Sequence, residues 1–214
     1  MSFSFILEIL PDFLRAAGIT LALSVLSALM GAVLGFTINA AFLRASPKLR
    51  LIYRFYVWVL RGTPFLVQLF IVYYGLPSVG LKPSALEAAF YSLTIYASAY
   101  FAEIFRASWA SLPKGQAEAA ETLGINRWHL FWRIQTPQAL RFSLPLLTNQ
   151  TLLVVKESAL ASIITVPELT MTAGRVVAET FNFLEPYLLL ALFYWLITYV
   201  VVRLGLMAER RIAH

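Results

Sequence analysis

The sequence predicts an all-α membrane protein, a polytopic bundle of five transmembrane helices in a single domain over residues 1–214. Of its 214 residues 60% are hydrophobic and 13% are charged, whereas soluble domains are ~45–50% apolar and ~25% charged. The apolar residues also come in long runs. No charge occurs in residues 16–43, 62–81 or 186–202, and each run approaches or exceeds the ~20 residues that cross a hydrocarbon core.

The first predicted span covers residues 16–43. Residues 1–15, which carry Glu8, Asp12 and Arg15, are predicted to be a short surface segment. Gly31 and Gly35 form a small-xxx-small pattern that lets helices approach closely. We expect this pattern to pack inside the bundle rather than between two copies of the chain.

The second predicted span covers residues 56–79 and follows a basic loop. Arg61-Gly62-Thr63-Pro64 lies in its first half, where Pro64 is expected to kink the helix and Gly62 to weaken it. Arg61 is expected to anchor the span at the cytoplasmic interface, the alternative being a pair with an inward-facing acid. Residues 76–84, which contain Pro77, Pro83 and Gly80, predict a turn.

The remaining predicted spans are residues 86–107, 138–165 and 186–205. Thr136 and Pro137 are expected to be the N-cap and first residue of the fourth span. Residues 166–185 are mixed in polarity and predict an amphipathic helix or a hairpin outside the membrane.

The basic residues predict the orientation. With five spans, one side collects most of the lysines and arginines, which places that side and the C-terminus in the cytoplasm and the N-terminus outside. The basic residues on this side are Arg44, Lys48, Arg50, Arg54, Arg106, Lys114, Arg127, Arg133, Arg141, Arg203, Arg210 and Arg211. The net charge of +6 is therefore a topology signal, and no basic face for nucleic acid is visible.

The loop at residues 111–136 is the longest polar interruption, and it predicts two short helices. Gly124 can supply the left-handed turn that ends the first, and Asn126 can cap the second. Trp128, Phe131 and Trp132 then share one helix face. The pattern suggests a docking surface.

Several kinds of chemistry are not indicated. No nucleotide-binding P-loop, G-x-S-x-G or H-E-x-x-H pattern occurs. His129 and His214 have no second ligand at metal spacing, and the absence of cysteine excludes disulfides and thiolate sites. The sequence does not favour an enzyme.

Polar side chains within the apolar spans are the candidate transport residues. Glu103, Lys156 and Glu157 need a partner or a water-filled path, because an intramembrane charge costs a few kcal/mol. They either line a path for a hydrophilic solute, or they pair with each other or snorkel and only hold the bundle together. Asn149, seven residues before Lys156, shares its helix face, and its alternative role is a helix–helix hydrogen bond worth ~1 kcal/mol.

Residues 118–137 resemble the EAA loop of ABC importer permeases. Glu118-Ala119-Ala120, Gly124, Ile134 and Pro137 match the pattern E-A-A-x3-G-x9-I-x-L-P, in which Thr136 replaces the leucine. Residues 61–64, 102–106, 113–116 and 156–160 extend the resemblance to the polar amino acid subfamily, the histidine/glutamine/glutamate/arginine type.

The resemblance implies a bacterial inner-membrane permease that forms a dimer with itself or with a sister subunit. It implies two cytoplasmic ATPase subunits that hold ATP and Mg, an extracytoplasmic solute-binding protein, an amino acid substrate, and no cofactor on this chain. The loop would be the coupling element, through Glu118, Ala119, Ala120, Gly124, Trp128 and Phe131.

The resemblance also makes Glu103, Asn149, Lys156, Glu157 and Ser158 the candidates for the amino acid path. Asn149 could bond the substrate carboxylate, and Glu103 could meet its ammonium group. Alternatives are a permease of the same architecture for another small solute, such as an opine or a sulfur-containing amino acid, and a passive channel or scaffold that needs no ATPase.

Overall fold

The computed structural model describes residues 3–43 and 46–213, so Arg44 and His214 lie outside the described residues. Every secondary-structure element in these ranges is helical. The α-helices are α1 (Phe3–Leu43), α2 (Pro47–Gly62), α3 (Phe65–Phe70), α4 (Ala85–Ala110), α5 (Gly115–Thr122), α6 (Arg127–His129), α7 (Thr136–Glu157), α8 (Leu169–Thr180) and α9 (Leu184–Ala213).

The prediction that residues 1–15 form a short surface segment is wrong for the described part, residues 3–15. Helix α1 begins at Phe3 and runs for 41 residues, about 60 Å at 1.5 Å per residue. Ile9, Phe13, Ala16 and Ala17 are buried in one cluster with residues of α8 and α9. Their spacing places them on one face of a helix, and this packing outweighs the few charges that suggested a surface segment.

The second span is broken rather than kinked. Helix α2 contains Lys48, Arg50 and Arg54, so the basic loop predicted there is mostly helix. Helix α2 and the segment Phe65–Val79 meet at 105°. Beyond α3 the segment continues as a π-helix, Ile71–Gly75, and a 3₁₀-helix, Leu76–Val79, which takes up the first part of the predicted turn.

Helix α4 is the central helix of the bundle. It packs against α1, α2, α3 and α7, and its buried residues include Ser92, Thr94, Ser98 and Ser108. A Cβ at Gly31 would lie 2.7 Å from the Ala97 Cβ, and one at Gly35 would lie 2.7 Å from the Ala102 backbone nitrogen. The glycine pair therefore packs within the chain, as the sequence predicted.

The predicted N-cap at Thr136 is wrong. Helix α6 passes through a π-helix at Leu130–Gln135 into α7 without a break. Thr136 has helical backbone angles, and its hydroxyl donates to the Phe131 carbonyl oxygen at 2.7 Å. Pro137 has no N–H to donate to the preceding turn, and the wider π-turn before it accommodates that loss.

The last third of the chain forms α8 and α9. Helix α7 passes into a 3₁₀-helix, Ser158–Ile164, and α8 follows as the amphipathic helix that the sequence allowed, in place of the alternative hairpin. Leu169, Thr172, Ala173 and Val176 form its buried face. Helix α8 packs against both α1 and α9.

Two helices of the described chain are long and apolar enough to cross a membrane, α1 over residues 4–42 and α9 over residues 184–211. The bent pair of α2 and residues 65–79 can count as a third. Helices α4 and α7 carry more polar residues and are not among the helices that are long and apolar enough to cross a membrane by length and composition alone.

Candidate functional site

The loop at residues 111–136, predicted to be the coupling loop, forms a compact helical projection. Gly124 ends α5 with φ +66°, and the Ile125 N–H donates to the Ala120 carbonyl at 2.8 Å while the Gly124 N–H donates to that of Glu121 at 3.1 Å. These two bonds define a Schellman cap. The Asn126 side chain then accepts from the Trp128 N–H at 2.9 Å. Both capping predictions are confirmed.

The two sides of the projection differ in exposure. Glu118, Ala119 and Gly124 are exposed, and the Leu123 and Trp128 side chains are 75% and 58% exposed. Ala120 is buried. The projection therefore presents a mixed polar and apolar surface away from the bundle.

Phe131 faces the chain's own bundle. It is buried and stacks on Trp109 of α4, with 5.6 Å between ring centroids. The ring centroid of Trp132 lies 6.0 Å from that of Phe36 in α1. The predicted aromatic face thus joins the loop to α1 and α4, and only Trp128 of the three aromatic residues is largely exposed.

A hydrogen-bonded pair of amides ties the first arm of the loop to α7. The Gln116 Nε2 donates to the Gln138 Oε1 at 2.7 Å, and the Gln138 Nε2 donates to the Gln116 Oε1 at 3.3 Å. Gln138 also donates to the Ile134 carbonyl at 2.7 Å. Together with the unbroken helix from α6 into α7, these bonds connect the loop to α7 at two points.

Glu103 lies in a cavity of about 620 Å³ between α1, α2 and α4. Arg106 donates to its carboxylate through Nε at 2.9 Å and through a terminal nitrogen, and Tyr53 donates at 3.2 Å. Glu103 is therefore paired, but with Arg106 and Tyr53 and not with Lys156 or Glu157 as the sequence suggested, and it also lines this cavity. The lining comprises Phe42, Tyr53, Arg54, Val57, Trp58, Arg61, Gly62, Glu103 and Arg106.

Arg61 is exposed and lies in the last turn of α2, next to the break between α2 and α3. Its guanidinium lies 5.2 Å from the Tyr100 ring centroid, a cation–π distance. Gly62 ends α2, and Pro64 precedes the first residue of α3, so both residues lie at the break as predicted.

The α7 candidates lie elsewhere on the bundle. Asn149 and Lys156 are both exposed, which agrees with their predicted common face, and Glu157 is half-buried. Within the described residues no ion pair joins Lys156 or Glu157 to another side chain. Ser158 is buried, and its hydroxyl donates to the Val155 carbonyl at 2.8 Å.

Helices α4 and α7 share a second polar cluster next to Glu157. The Tyr96 phenol lies close to Tyr100, Gln150 and Glu157. The Gln150 Nε2 is buried without a hydrogen-bond partner. This cluster places donor and acceptor groups in an otherwise apolar interior.

The buried polar residues that the sequence reasoning missed include Gln68 and Glu168. Gln68 donates through Nε2 to the carbonyls of Leu60 and Thr63 at 2.7 and 3.1 Å, and so bonds the backbone groups freed by the break. Glu168 is fully buried and caps α8 by accepting from the Met171 N–H at 2.8 Å. A glutamine four residues after Pro64 and an acid preceding an apolar helix were the available signals.

The comparison with protein families matches residues 29–214 to the "Binding-protein-dependent transport system inner membrane component" family. The chain is 38% identical to the probable amino-acid ABC transporter permease protein YckA of Bacillus subtilis, over 97% of this chain and 92% of that protein. It is 40% identical to the octopine transport system permease protein OccM of Rhizobium meliloti, over 90% and 83% of the two chains.

Solved structures share the fold. An amino acid ABC transporter crystallised with histidines matches with a TM-score of 0.90 and 34% identity, over 99% of both chains. The MetNI methionine ABC transporter in an inward-facing conformation matches with a TM-score of 0.82 at 21% identity, again over 99% of both chains, which supports the fold alone.

The family match covers most of the chain, and its members are membrane components of transport systems. This agrees with the prediction that the chain is a transport subunit and not an enzyme. On the combined evidence of the EAA loop, the helical bundle and these matches, the chain belongs to the family of binding-protein-dependent transport system inner membrane components.

Proposed function

We propose that this chain is the membrane-spanning permease subunit of an ATP-driven importer for amino acids. The observation that carries the proposal is the coupling loop, an exposed helical projection joined to α7 both through the continuous helix and through the Gln116–Gln138 pair. A projection built in this way can transmit movement of a docked subunit to the helix that bears Asn149 and Lys156.

The proposed partners follow from the family and from the sequence resemblance. Two ATP-binding subunits hold ATP and Mg and dock on the surface that includes Glu118, Leu123 and Trp128. A second permease copy or a sister permease completes the path, and an extracytoplasmic binding protein delivers the solute.

The proposed topology keeps five spans in a bacterial inner membrane, with the N-terminus outside. Helices α4 and α7 are included although they are less apolar than α1 and α9. Helix α4 is surrounded by other helices, and its serine and threonine side chains face protein rather than lipid. An interior span can therefore be more polar than a lipid-facing one.

The proposed solute path uses two groups of side chains. Asn149, Lys156 and Glu157 lie along α7, with Ser158 at its end, and Glu103 lies in the cavity beside Arg61 and Arg54. Carboxylate binding by amide or guanidinium donors and ammonium binding by a glutamate are compatible with an α-amino acid. An opine is the second candidate substrate, because one relative is an octopine transport system permease protein.

The test of the coupling role is ATP-driven uptake by the complete complex in proteoliposomes. We expect Glu118→Lys combined with Leu123→Asp to abolish ATP-driven uptake and to weaken recovery of the ATPase with the permease. Glu8→Lys, an equally exposed glutamate on α1, is the matched control. Solute flux that persists at the wild-type rate without ATP would instead support a passive channel.

The test of the path uses Glu103→Gln and Asn149→Ala in the same assay. We expect each to raise the KM for the amino acid or lower the uptake rate by at least tenfold. Leu146→Ala, an exposed apolar residue of α7, controls for helix packing. Unchanged uptake and unchanged substrate-stimulated ATPase activity in both variants would refute this assignment.

A further inference from the structure

Helix α8 has an unusual backbone at each end. Among the described non-glycine residues, only Thr165 and Phe181 have positive φ, at +67° and +56°. Thr165 ends the 3₁₀-helix before α8, and Phe181 is the C-cap of α8. For a β-branched or bulky residue this conformation is rare and strained. Helix α8 is thus bracketed by two strained joints.

Polar contacts hold α8 to the helices beside it. The Leu169 N–H donates to the Thr20 hydroxyl of α1 at 3.2 Å, and Arg175 pairs with Asp12 of α1 at 2.9 Å. Between α8 and α9, the Tyr194 phenol donates to the Glu168 carboxylate at 3.0 Å. These polar contacts join α8 to α1 and α9 in addition to the apolar packing of its buried face.

Glu168 is the centre of these contacts. Its carboxylate is fully buried, and it accepts from the Met171 N–H with one oxygen and from Tyr194 with the other. Tyr194 also lies 3.3 Å from the Thr170 hydroxyl and close to Ser158. A buried carboxylate is costly unless such donors surround it, so its position fixes the start of α8 relative to α9.

The proximity of Ser158 to Tyr194 connects this contact to the proposed solute path. The residues Lys156-Glu157-Ser158 lie directly before the 3₁₀-helix that ends at Thr165. A movement of α7 therefore reaches Thr165 through seven residues of 3₁₀-helix, a less stable conformation than α-helix.

We infer that α8 is a hinged element that moves as a unit on Thr165 and Phe181 during transport, and that Glu168, through Tyr194, is the positioning residue that holds it in the conformation described here. The inference rests on the proposed transport function. It adds to that function a helix that moves, α8, and a contact that holds it in place, the Glu168–Tyr194 hydrogen bond, which we call the latch. Strain at both joints favours departure from this conformation, and the Glu168–Tyr194 contact opposes it.

The first experiment restrains α8 with a chemical cross-link. The chain contains no cysteine, so Asp12→Cys with Arg175→Cys provides a unique pair, which a short reducible bis-methanethiosulfonate reagent can bridge. We expect the cross-link to reduce ATP-driven uptake at least tenfold and a reductant to restore it. Wild-type uptake by the cross-linked protein would overturn the inference.

Two controls separate this result from other causes. The single-cysteine variants receive the same reagent, and Ser84→Cys with Glu87→Cys bridges two hydrogen-bonded residues within the first turn of α4. Both controls should transport normally. Failure of the hinge inference can be told apart from failure of the proposed transport function. If the proposed function were wrong, the protein with its partners would show no ATP-driven uptake even without the cross-link.

The second experiment weakens the latch with Tyr194→Phe, which keeps the ring and removes the hydroxyl. We expect the ATPase activity without substrate to rise at least twofold and the stimulation by substrate to fall. Tyr199→Phe, on the same helix and 51% exposed, should leave both unchanged. A purely structural role for Tyr194 would lower the amount of complex without changing the ratio of the two activities, and an unchanged ratio would count against a latch.

Discussion

Single glycines set how closely the two most extensively packed helices approach. A Cβ at Gly35 of α1 would lie 2.7, 2.8 and 2.9 Å from the Ala102 nitrogen, the Phe101 Cβ and the Ser98 carbonyl oxygen of α4. Two of these atoms belong to the backbone, so a side chain at Gly35 can fit only if the helices separate.

Gly35→Ala should therefore destabilise the protein by about 1–3 kcal/mol, the usual cost of overpacking. The measurement is the thermal unfolding midpoint of the purified protein in detergent. Gly18→Ala is the matched control on the same helix, where a Cβ meets nothing within 4 Å. That substitution should leave the midpoint unchanged or raise it, since alanine favours helix over glycine. Equal midpoints for the two variants would contradict close packing at Gly35.

Gln68 has a comparable role at the break between α2 and α3. Besides the two carbonyls, its Nε2 donates to the Thr63 hydroxyl at 3.0 Å. Gln68→Leu would leave the Leu60 and Thr63 carbonyls without this donor, at a cost of about 1–3 kcal/mol for a buried unsatisfied group. The measurement is again the unfolding midpoint, and Val67→Leu, an exposed neighbour, should have no effect. A stable Gln68→Leu variant would mean that the break does not depend on this amide.

At the scale of whole elements, the sequence predicted which helices, caps and breaks exist more accurately than it predicted the residues at which the helices begin and end. The capping residues Gly124 and Asn126 and the glycines of α1 act locally, so their roles follow from residue type and spacing. The break at residues 62–64 could be located from Pro64, but its 105° angle could not, since α2 and α3 both pack against α4. Such tertiary contacts are not encoded in a local pattern.

The missed features share this physical origin. The continuous helix through Thr136 depends on a π-turn whose hydrogen bonds replace the expected cap. The extension of α1 to Phe3 depends on burial against α8 and α9. Of the candidate path residues, Asn149 and Lys156 share a face as the heptad spacing predicted, whereas the placement of Glu103 in a separate cavity required the three-dimensional arrangement of α2 and α4.

Gly124 decides whether the coupling loop keeps its shape. At φ +66°, an alanine would cost about 1–2 kcal/mol and would disfavour the turn between α5 and α6. Gly124→Ala should therefore weaken binding of the ATPase subunit and reduce ATP-driven uptake, without lowering the amount of permease in the membrane.

The matched control for Gly124→Ala is Gly115→Ala in the same loop. Gly115 starts α5, its φ is not positive, and a Cβ there meets nothing within 4 Å. ATPase binding is measured by co-purification under fixed salt. If both alanine variants bind the ATPase as the wild type does, the left-handed turn is not required for docking.

At the scale of the whole molecule, the distribution of polarity is a consequence of which helices face lipid. Helices α1 and α9 are long and apolar and carry many exposed hydrophobic side chains, while α4 is buried on most sides and is rich in serine and alanine. If the proposed five-span topology holds, hydropathy identifies α1 and α9 and underestimates α4 and α7. The positive-inside asymmetry supplies the missing information, because it depends on the loops and not on the helices.

This topology makes a prediction for labelling in intact cells, for which the cysteine-free chain is suited. Ser84→Cys and Asn182→Cys, both exposed, should react from outside with a membrane-impermeant maleimide, because the proposed topology places residues 80–84 and 181–183 at the extracytoplasmic surface. Glu121→Cys in the coupling loop and Arg210→Cys near the end of α9 should react only after the membrane is permeabilised. If α4 and α7 did not cross, residues 84 and 121 would lie on the same side and would label together, whereas the five-span arrangement requires them to differ.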